Sequence, residues 1–251
     1  MIQLTDKTRI REFRVFLDTC GYSTEQLTQR IGRSRPPAPG EEQQMFDDSR
    51  EITTLNVLVR LFLLGAPVDE TTVYEFLPDT IVKFCNDAHL LQTQDGIVNG
   101  RIVIIPVEDL LFASDAFRIL GTNEAVNFVL PASTHSANFL RFLTMRDPVE
   151  DMLDLGCGCG IHALFAARHS TRVIATDISP HAIAYTQFNA MLNDIGNVEC
   201  VEGSLFEPVS ERQFDLIVSN PPFVIGPSES FVYRDNPMAV SYTPLRAHET
   251  A

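Results

Sequence analysis

Asn220-Pro221-Pro222-Phe223 follows directly on the apolar run Phe214-Asp215-Leu216-Ile217-Val218-Ser219. That order places a side-chain amide, two main-chain carbonyls and an aromatic ring at the end of a strand. Proline supplies no N–H and holds φ fixed, so the carbonyls before each proline project from a rigid turn. Two convergent acceptors beside a flat ring suit a planar NH2 group, whose two hydrogens they accept while the ring stacks on its π face. Asn220, Pro221 and Phe223 are therefore the candidate catalytic residues.

A second cluster lies upstream. Asp154-Leu155-Gly156-Cys157-Gly158-Cys159-Gly160 closes the run Asp151–Leu155 and precedes the apolar segment 161–169. Glycines at such a turn allow positive φ and let a ligand approach the backbone. The spacing is Gly-x-Gly-x-Gly rather than the Gly-x-Gly-x-x-Gly of dinucleotide sites. The acid ahead of it suits a ligand with a cationic amino-acid portion. Asp177 ends the next apolar run, seventeen residues beyond Gly160. A carboxylate there can accept both hydroxyls of a ribose. It can equally cap the following helix, a task that Ser179 could also perform. Asp154 has a structural alternative as well, holding the turn through its amides. Cys157 and Cys159 need only be small.

These groups require an alternating α/β scaffold. From about residue 136 the pattern predicts a helix at 137–145 and strands at 151–155, 172–176, 198–201 and before Asn220. Helices at 161–169 and 180–193 lie between the strands. Strands joined by helical crossovers predict a doubly wound, mostly parallel, Rossmann-like sheet. Such sheets bind ligands at the carboxyl ends of their strands, where both clusters fall.

Residues 1–130 read differently. Helices are expected at 8–19, 24–31, 51–64, 69–77 and 79–86, with Gly21, Gly32 and Gly65 as stops. Short strands follow at 90–93, 102–105 and 111–114, with Asp95-Gly96 and Asn99-Gly100 as turns. Short helices followed by a β-ribbon suggest a winged-helix-like unit. The expected division is thus an N-terminal domain at 1–130, a second domain at 131–237, and a segment at 238–251. Residues 239–251 continue no hydrophobic period and read as a non-native or disordered tail.

The chain has 251 residues and a formal charge of −14, with 45% hydrophobic and 21% charged residues. Such acidity repels a nucleic-acid backbone unless a local basic patch dominates. Arg9, Arg11, Arg14, Arg30, Arg33 and Arg35 could form a weak patch, though a solvated helix face accounts for them more simply. The five cysteines show no zinc-like spacing, so no metal is expected. No secretory or membrane-spanning pattern is present, and a cytoplasmic setting is the expectation.

Taken together, Asp154 to Gly160, Asp177 and Asn220 to Phe223 resemble class I S-adenosylmethionine-dependent methyltransferases of the N-P-P-F/Y type. Within that family the likeness is to the methyltransferase small group. It includes release-factor glutamine N5-methyltransferases and methylases of exocyclic amino groups on RNA or DNA bases. The resemblance spans roughly residues 131–236. It implies S-adenosylmethionine as cofactor, with Asp154, Gly156, Gly158 and Gly160 at its methionine end and Asp177 at its ribose. The family often has an acid after the third strand, near the adenine. Here Ser204 takes that place, and Leu205 would pack on the ring. The implied activity is methyl transfer to a planar NH2, on a protein glutamine or a nucleic-acid base, with no membrane partner. The family's sheet usually has more strands than the four identifiable here, so the chain reads as C-terminally truncated. The competing expectations are a non-catalytic cofactor- or partner-binding fragment and a nicotinamide-dependent oxidoreductase.

Overall fold

Side-chain caps and glycine stops set the helices of the N-terminal region. The computed structural model describes residues 2–4, 6–37, 41–116, 127–132 and 147–221. Helix α1 (Lys7–Thr19) starts where Asp6 accepts from the Thr8 amide at 2.9 Å, and it buries Ile10, Phe13 and Leu17 on one face. Helix α2 (Thr24–Ile31) is capped by Ser23 and stopped by Gly32 at φ 75°. A further helix, α3 (Glu42–Asp48), carried no clear sequence signal. The helix expected from residue 51 begins instead as α4 (Thr54–Val59), because Thr53 caps it. It widens into a π-turn at Arg60–Leu64 before Gly65 ends it at φ 62°.

A small strand β1 (Val68–Asp69) then leads into α5 (Glu70–Phe76) and α6 (Asp79–Asp87), followed by β2 (Leu91–Gln94) and β3 (Ile97–Gly100). The antiparallel order is β1-β3-β2, so α5 and α6 lead into a small ribbon of β2 and β3 edged by β1. Asp95 and Gly96 form its turn, both with positive φ, as a two-residue hairpin turn of that composition requires.

The turn expected at Asn99-Gly100 is absent. Both residues lie in β3, opposite Gln92 and Leu91. Gly100 serves close approach rather than reversal, since a Cβ there would lie 1.9 Å from the Leu61 carbonyl oxygen. Strands β4 (Ile102–Val107) and β5 (Leu110–Asp115) form a separate buried hairpin.

The second region carries the parallel sheet. Strands β6 (Val149–Leu155), β7 (Ser170–Asp177), β8 (Val198–Glu202) and β9 (Leu216–Ser219) adopt the order β8-β7-β6-β9, every pair parallel. Helix α7 (Ile161–Ala166) is shorter than expected, and α8 (Pro180–Leu192) follows β7 with Ser179 as its cap. One hydrophobic cluster runs from Ile10 and Phe13 through Phe112 to Phe165 and Tyr185, joining the N-terminal helices to the sheet. Phe112 and Phe165 stack with centroids 5.9 Å apart. The helix expected at 137–145 and the tail at 239–251 lie outside the described residues.

The arginines do not make a basic patch. Arg9 pairs with Asp87, Arg11 with Asp194, Arg14 with Asp18, Arg30 with Glu51, and Arg33 and Arg35 with Glu41. Each of these arginines has an acidic partner, with Arg33 and Arg35 sharing Glu41, which weakens the field a nucleic-acid backbone would seek. No described helix is long and apolar enough to cross a membrane.

Candidate active site

The sheet order creates a crevice. β6 lies between β7 and β9, so the chain leaves β6 toward one side and returns to β9 on the other. The connections diverge beyond their carboxyl ends, which is the topological switch point of an open α/β sheet. Leu155 opposes Ser219 in the last strand pair, and the Ser219 hydroxyl donates to the Leu155 carbonyl at 2.8 Å. The residues that follow are Gly156 and Asn220. The glycine motif and the first member of the Asn-Pro-Pro-Phe motif, separated by more than sixty residues, thus leave the sheet side by side. Asn220 and Pro221 are exposed. Phe223 lies outside the described residues.

Gly156, Gly158 and Gly160 all have positive φ, at 77°, 56° and 79°. The amides of Gly156 and Cys157 both donate to the Thr176 carbonyl, at 2.8 and 3.0 Å, which folds the loop back over β7. The glycines differ in their surroundings. A Cβ on Gly156 or Gly158 would meet nothing within 4 Å, whereas one on Gly160 would lie 2.8 Å from Thr186 Cγ2. The first two therefore line open space, and the third is packed against α8.

Asp154 is fully buried. Its Oδ2 accepts from the Ala163 amide at 3.0 Å, so it holds the first turn of α7 rather than the glycine turn itself. Its Oδ1 is buried and accepts no hydrogen bond. His162 Nδ1 stands 3.9 Å away, but burial lowers that imidazole to about 4, leaving it neutral at pH 7. Burial raises the Asp154 carboxyl to about 7, a rise that the Ala163 amide partly offsets. A buried carboxylate oxygen without a partner retains acceptor capacity that a ligand's ammonium group could use.

Asp177 performs the capping-type role and leaves capacity for another. Its two oxygens accept from the Gly158 amide at 3.0 Å and the Ser179 amide at 2.9 Å. Ser179 caps α8 through the Ala182 amide. Each carboxylate oxygen retains a lone pair that a ribose hydroxyl could use. Burial raises the Asp177 pKa above the usual carboxylate value. Ser204 and Leu205 follow β8 in a turn beside it, fastened by the Gly203 amide to the Asp177 carbonyl at 3.0 Å. Leu205 sits at φ 50°, a conformation that turns its side chain away from an ordinary strand path. Cys157 and Cys159 are buried thiols whose pKa values burial pushes up, Cys159 to about 12. They are unsuited to nucleophilic or redox roles at neutral pH.

Three residues escaped the sequence reading. Ile178, next to Asp177, is 60% exposed, an unusual state for isoleucine at the mouth of a crevice. Thr186 and Asn189 of α8 donate to the Gly158 and Cys159 carbonyls at 3.0 and 2.8 Å. Their signal was polar residues set into a largely apolar helix, among others such as His181 and Gln187.

Residues 134–241 match the methyltransferase small domain. That match spans somewhat under half of the chain and makes it similar to the methyltransferase small domain over those residues. Among curated proteins it is 44% identical over 116 residues to a release factor glutamine methyltransferase of Geobacter sulfurreducens, covering 42% of this chain and 40% of that protein. Over 80 residues it is 44% identical to the Aliivibrio fischeri release factor glutamine methyltransferase, covering 31% of this chain and 28% of that protein. The chain thus spans less than half the length of these relatives. A solved 16S rRNA N2 G1207 methyltransferase from T. thermophilus aligns with 18% identity and a TM-score of 0.40. That alignment covers 69% of this chain and 53% of that one.

Proposed function

We propose that the protein transfers a methyl group from S-adenosylmethionine to a planar NH2 nitrogen, the side-chain amide of a protein glutamine being the favoured acceptor. The observation that carries the proposal is the juxtaposition at the switch point. Asn220 and Pro221 leave β9 beside Gly156, which leaves β6. The match to relatives named for release factor glutamine methylation supports the glutamine amide. So does an acidic chain whose N-terminal arginines are all paired, against the exocyclic amino group of an RNA or DNA base.

When bound, the cofactor supplies an electrophilic methyl group on a sulfonium. Gly156 and Gly158 leave room for its methionine portion, and Asp154 Oδ1 would accept from its ammonium. Asp177 would accept from its ribose hydroxyls, and Ile178 and Leu205 would pack on its base. An amide nitrogen is a poor nucleophile because its lone pair is delocalised into the carbonyl. Asn220 Oδ1 and the Pro221 carbonyl would accept its two N–H bonds and favour the pyramidal nitrogen of the transition state. Phe223 would stack on the amide plane and fix the approach. The N–H proton would become acidic as the N–C bond forms and the methyl–sulfur bond breaks, and it would pass to solvent, so no strong base is required beforehand. Catalysis is then chiefly positioning and electrostatic complementarity.

The test is transfer of labelled methyl to release factor, ribosomal RNA and DNA in parallel, with Asn220→Ala alongside. The expected result is labelling of the protein substrate and a loss of about a thousandfold in turnover for the variant. Its cofactor affinity should stay within about threefold of the parent. Labelling of RNA or DNA alone would refute the glutamine acceptor. Loss of cofactor binding by a folded Asn220→Ala protein would refute the role given to Asn220.

A further inference from the structure

One face of α8 carries a polar residue every fourth position: His181, Tyr185, Asn189 and Asn193, the last at the helix C-cap. Opposite it runs β5, whose residues 111, 113 and 115 recur every second position. Four helical residues rise about 6 Å and two strand residues about 6.7 Å, so the two rows stay in step. Asn193 donates to the Leu111 carbonyl at 2.8 Å and accepts from the Leu111 amide at 2.9 Å. Asn189 does the same with Ala113, at 2.9 and 2.8 Å. Asp115 accepts from the Tyr185 hydroxyl at 2.7 Å and faces His181 Nε2 at 3.0 Å. Side-chain amides thus stand in for a neighbouring strand along the edge of β5 that β4 does not use.

Asn189 and Asn193 spend their remaining bonds differently: Asn193 donates to the Asn189 carbonyl and accepts from Arg14, whereas Asn189 reaches the glycine loop. Its second N–H donates to the Cys159 carbonyl at 2.8 Å, within the glycine loop. One turn earlier, the Thr186 hydroxyl donates to the Gly158 carbonyl at 3.0 Å and contacts Cys157 Sγ at 3.3 Å. The same helix face therefore grips β5 on one side and the loop on the other. Asn189 is buried with both donors and its acceptor engaged, so it cannot relax toward one partner without leaving the other unsatisfied.

We infer that Thr186 and Asn189 are positioning residues for the cofactor loop, and that Asn189 couples the loop's conformation to the docking of β5. This deepens the proposed function and rests on the cofactor reading of the glycine loop. The N-terminal region then acts as a fixed wall of the cofactor domain rather than as an independent appendage.

Three variants separate the two grips. Thr186→Val removes only a loop contact, Asn193→Ala leaves the loop carbonyls untouched, and Asn189→Ala removes both kinds of contact. S-adenosylmethionine binding by calorimetry and thermal melting are measured for each. Thr186→Val should weaken binding about fivefold and lower the melting temperature modestly, since one buried hydrogen bond is lost in the folded state. Asn193→Ala should melt lower with affinity within about twofold, and Asn189→Ala should show both effects. Unchanged affinity in Thr186→Val overturns the inference, as does an equal loss of affinity in Asn193→Ala. The first criterion stands even where Asn189→Ala does not fold. Failure of the parent protein to bind S-adenosylmethionine would instead refute the cofactor reading itself. Parent binding with unaltered binding in Thr186→Val and Asn189→Ala refutes the positioning role alone.

Discussion

Asp154 should make cofactor affinity and protein stability respond to pH in opposite directions. Burial raises its carboxyl to about 7, against an ordinary value near 3.8. An ammonium group needs the ionised form as its partner. At pH 8 about nine-tenths of the free protein carries that form, and at pH 6 only about a tenth. The S-adenosylmethionine Kd should therefore rise about tenfold between pH 8 and pH 6, and about tenfold again by pH 5. His162 stays neutral through most of this range, because its pKa is held at about 4. Asp177, also raised, titrates in the same sense.

The stability of the cofactor-free protein runs the other way. The folded state binds the Asp154 proton more tightly than the unfolded chain does. Its contribution is fully present below pH 4 and lost as pH rises through 7. The loss amounts to about 4 kcal/mol, from roughly three units at 1.36 kcal/mol each. Asp154→Asn can keep the bond from the Ala163 amide while removing the buried charge. That variant should be more stable than the parent at pH 8, bind cofactor at least about tenfold more weakly, and lose most of the pH dependence. Calorimetric titration from pH 5.5 to 8, with chemical denaturation at the same pH values, measures both quantities. A Kd that is flat over this range, or an Asn variant less stable than the parent at pH 8, would refute the reasoning.

The glycines yield sharper contrasts. Gly156→Ala meets open space, so it should lose only about 1 kcal/mol of stability to φ strain while cofactor binding drops sharply. Gly160→Ala adds a clash with Thr186 to the same strain and should cost about 2–3 kcal/mol, visible as a lowered denaturation midpoint. Gly100→Ala drives a methyl into the Leu61 carbonyl and should destabilise the fold by at least about 3 kcal/mol, yet leave cofactor affinity in the folded fraction unchanged. A tolerated Gly100→Ala would show that the π-turn of α4 can shift aside.

Much of the chemistry is legible in the order of the residues. Strand-end acids, glycines and prolines are local signals: Gly156, Gly158 and Gly160 announce positive φ because other residues resist it. Asp177 and Ser179 divide the turn after β7 much as their types allow. Asn99-Gly100 misled because the same residue serves a turn and a close approach. Only the position of Leu61, far away in the chain, distinguishes them. For the arginines the preferred reading of a solvated face stands, but partners such as Asp87 for Arg9 and Asp194 for Arg11 come from far along the chain and could not be read from the sequence.

By itself, then, the sequence determined the parallel α/β class, the glycine loop and the strand-ending Asn220-Pro221, because these rest on periodicity and backbone preference. Tertiary structure decided what stands beside what. The order β8-β7-β6-β9 brings Gly156 and Asn220 together. Burial, which no residue type specifies, raises Asp154 to about 7 and leaves its Oδ1 unsatisfied. The registry of a four-residue helical repeat with a two-residue strand repeat lets Asn189 hold β5 and the glycine loop at once. Those are long-range relations, and they exist only once the chain has closed on itself.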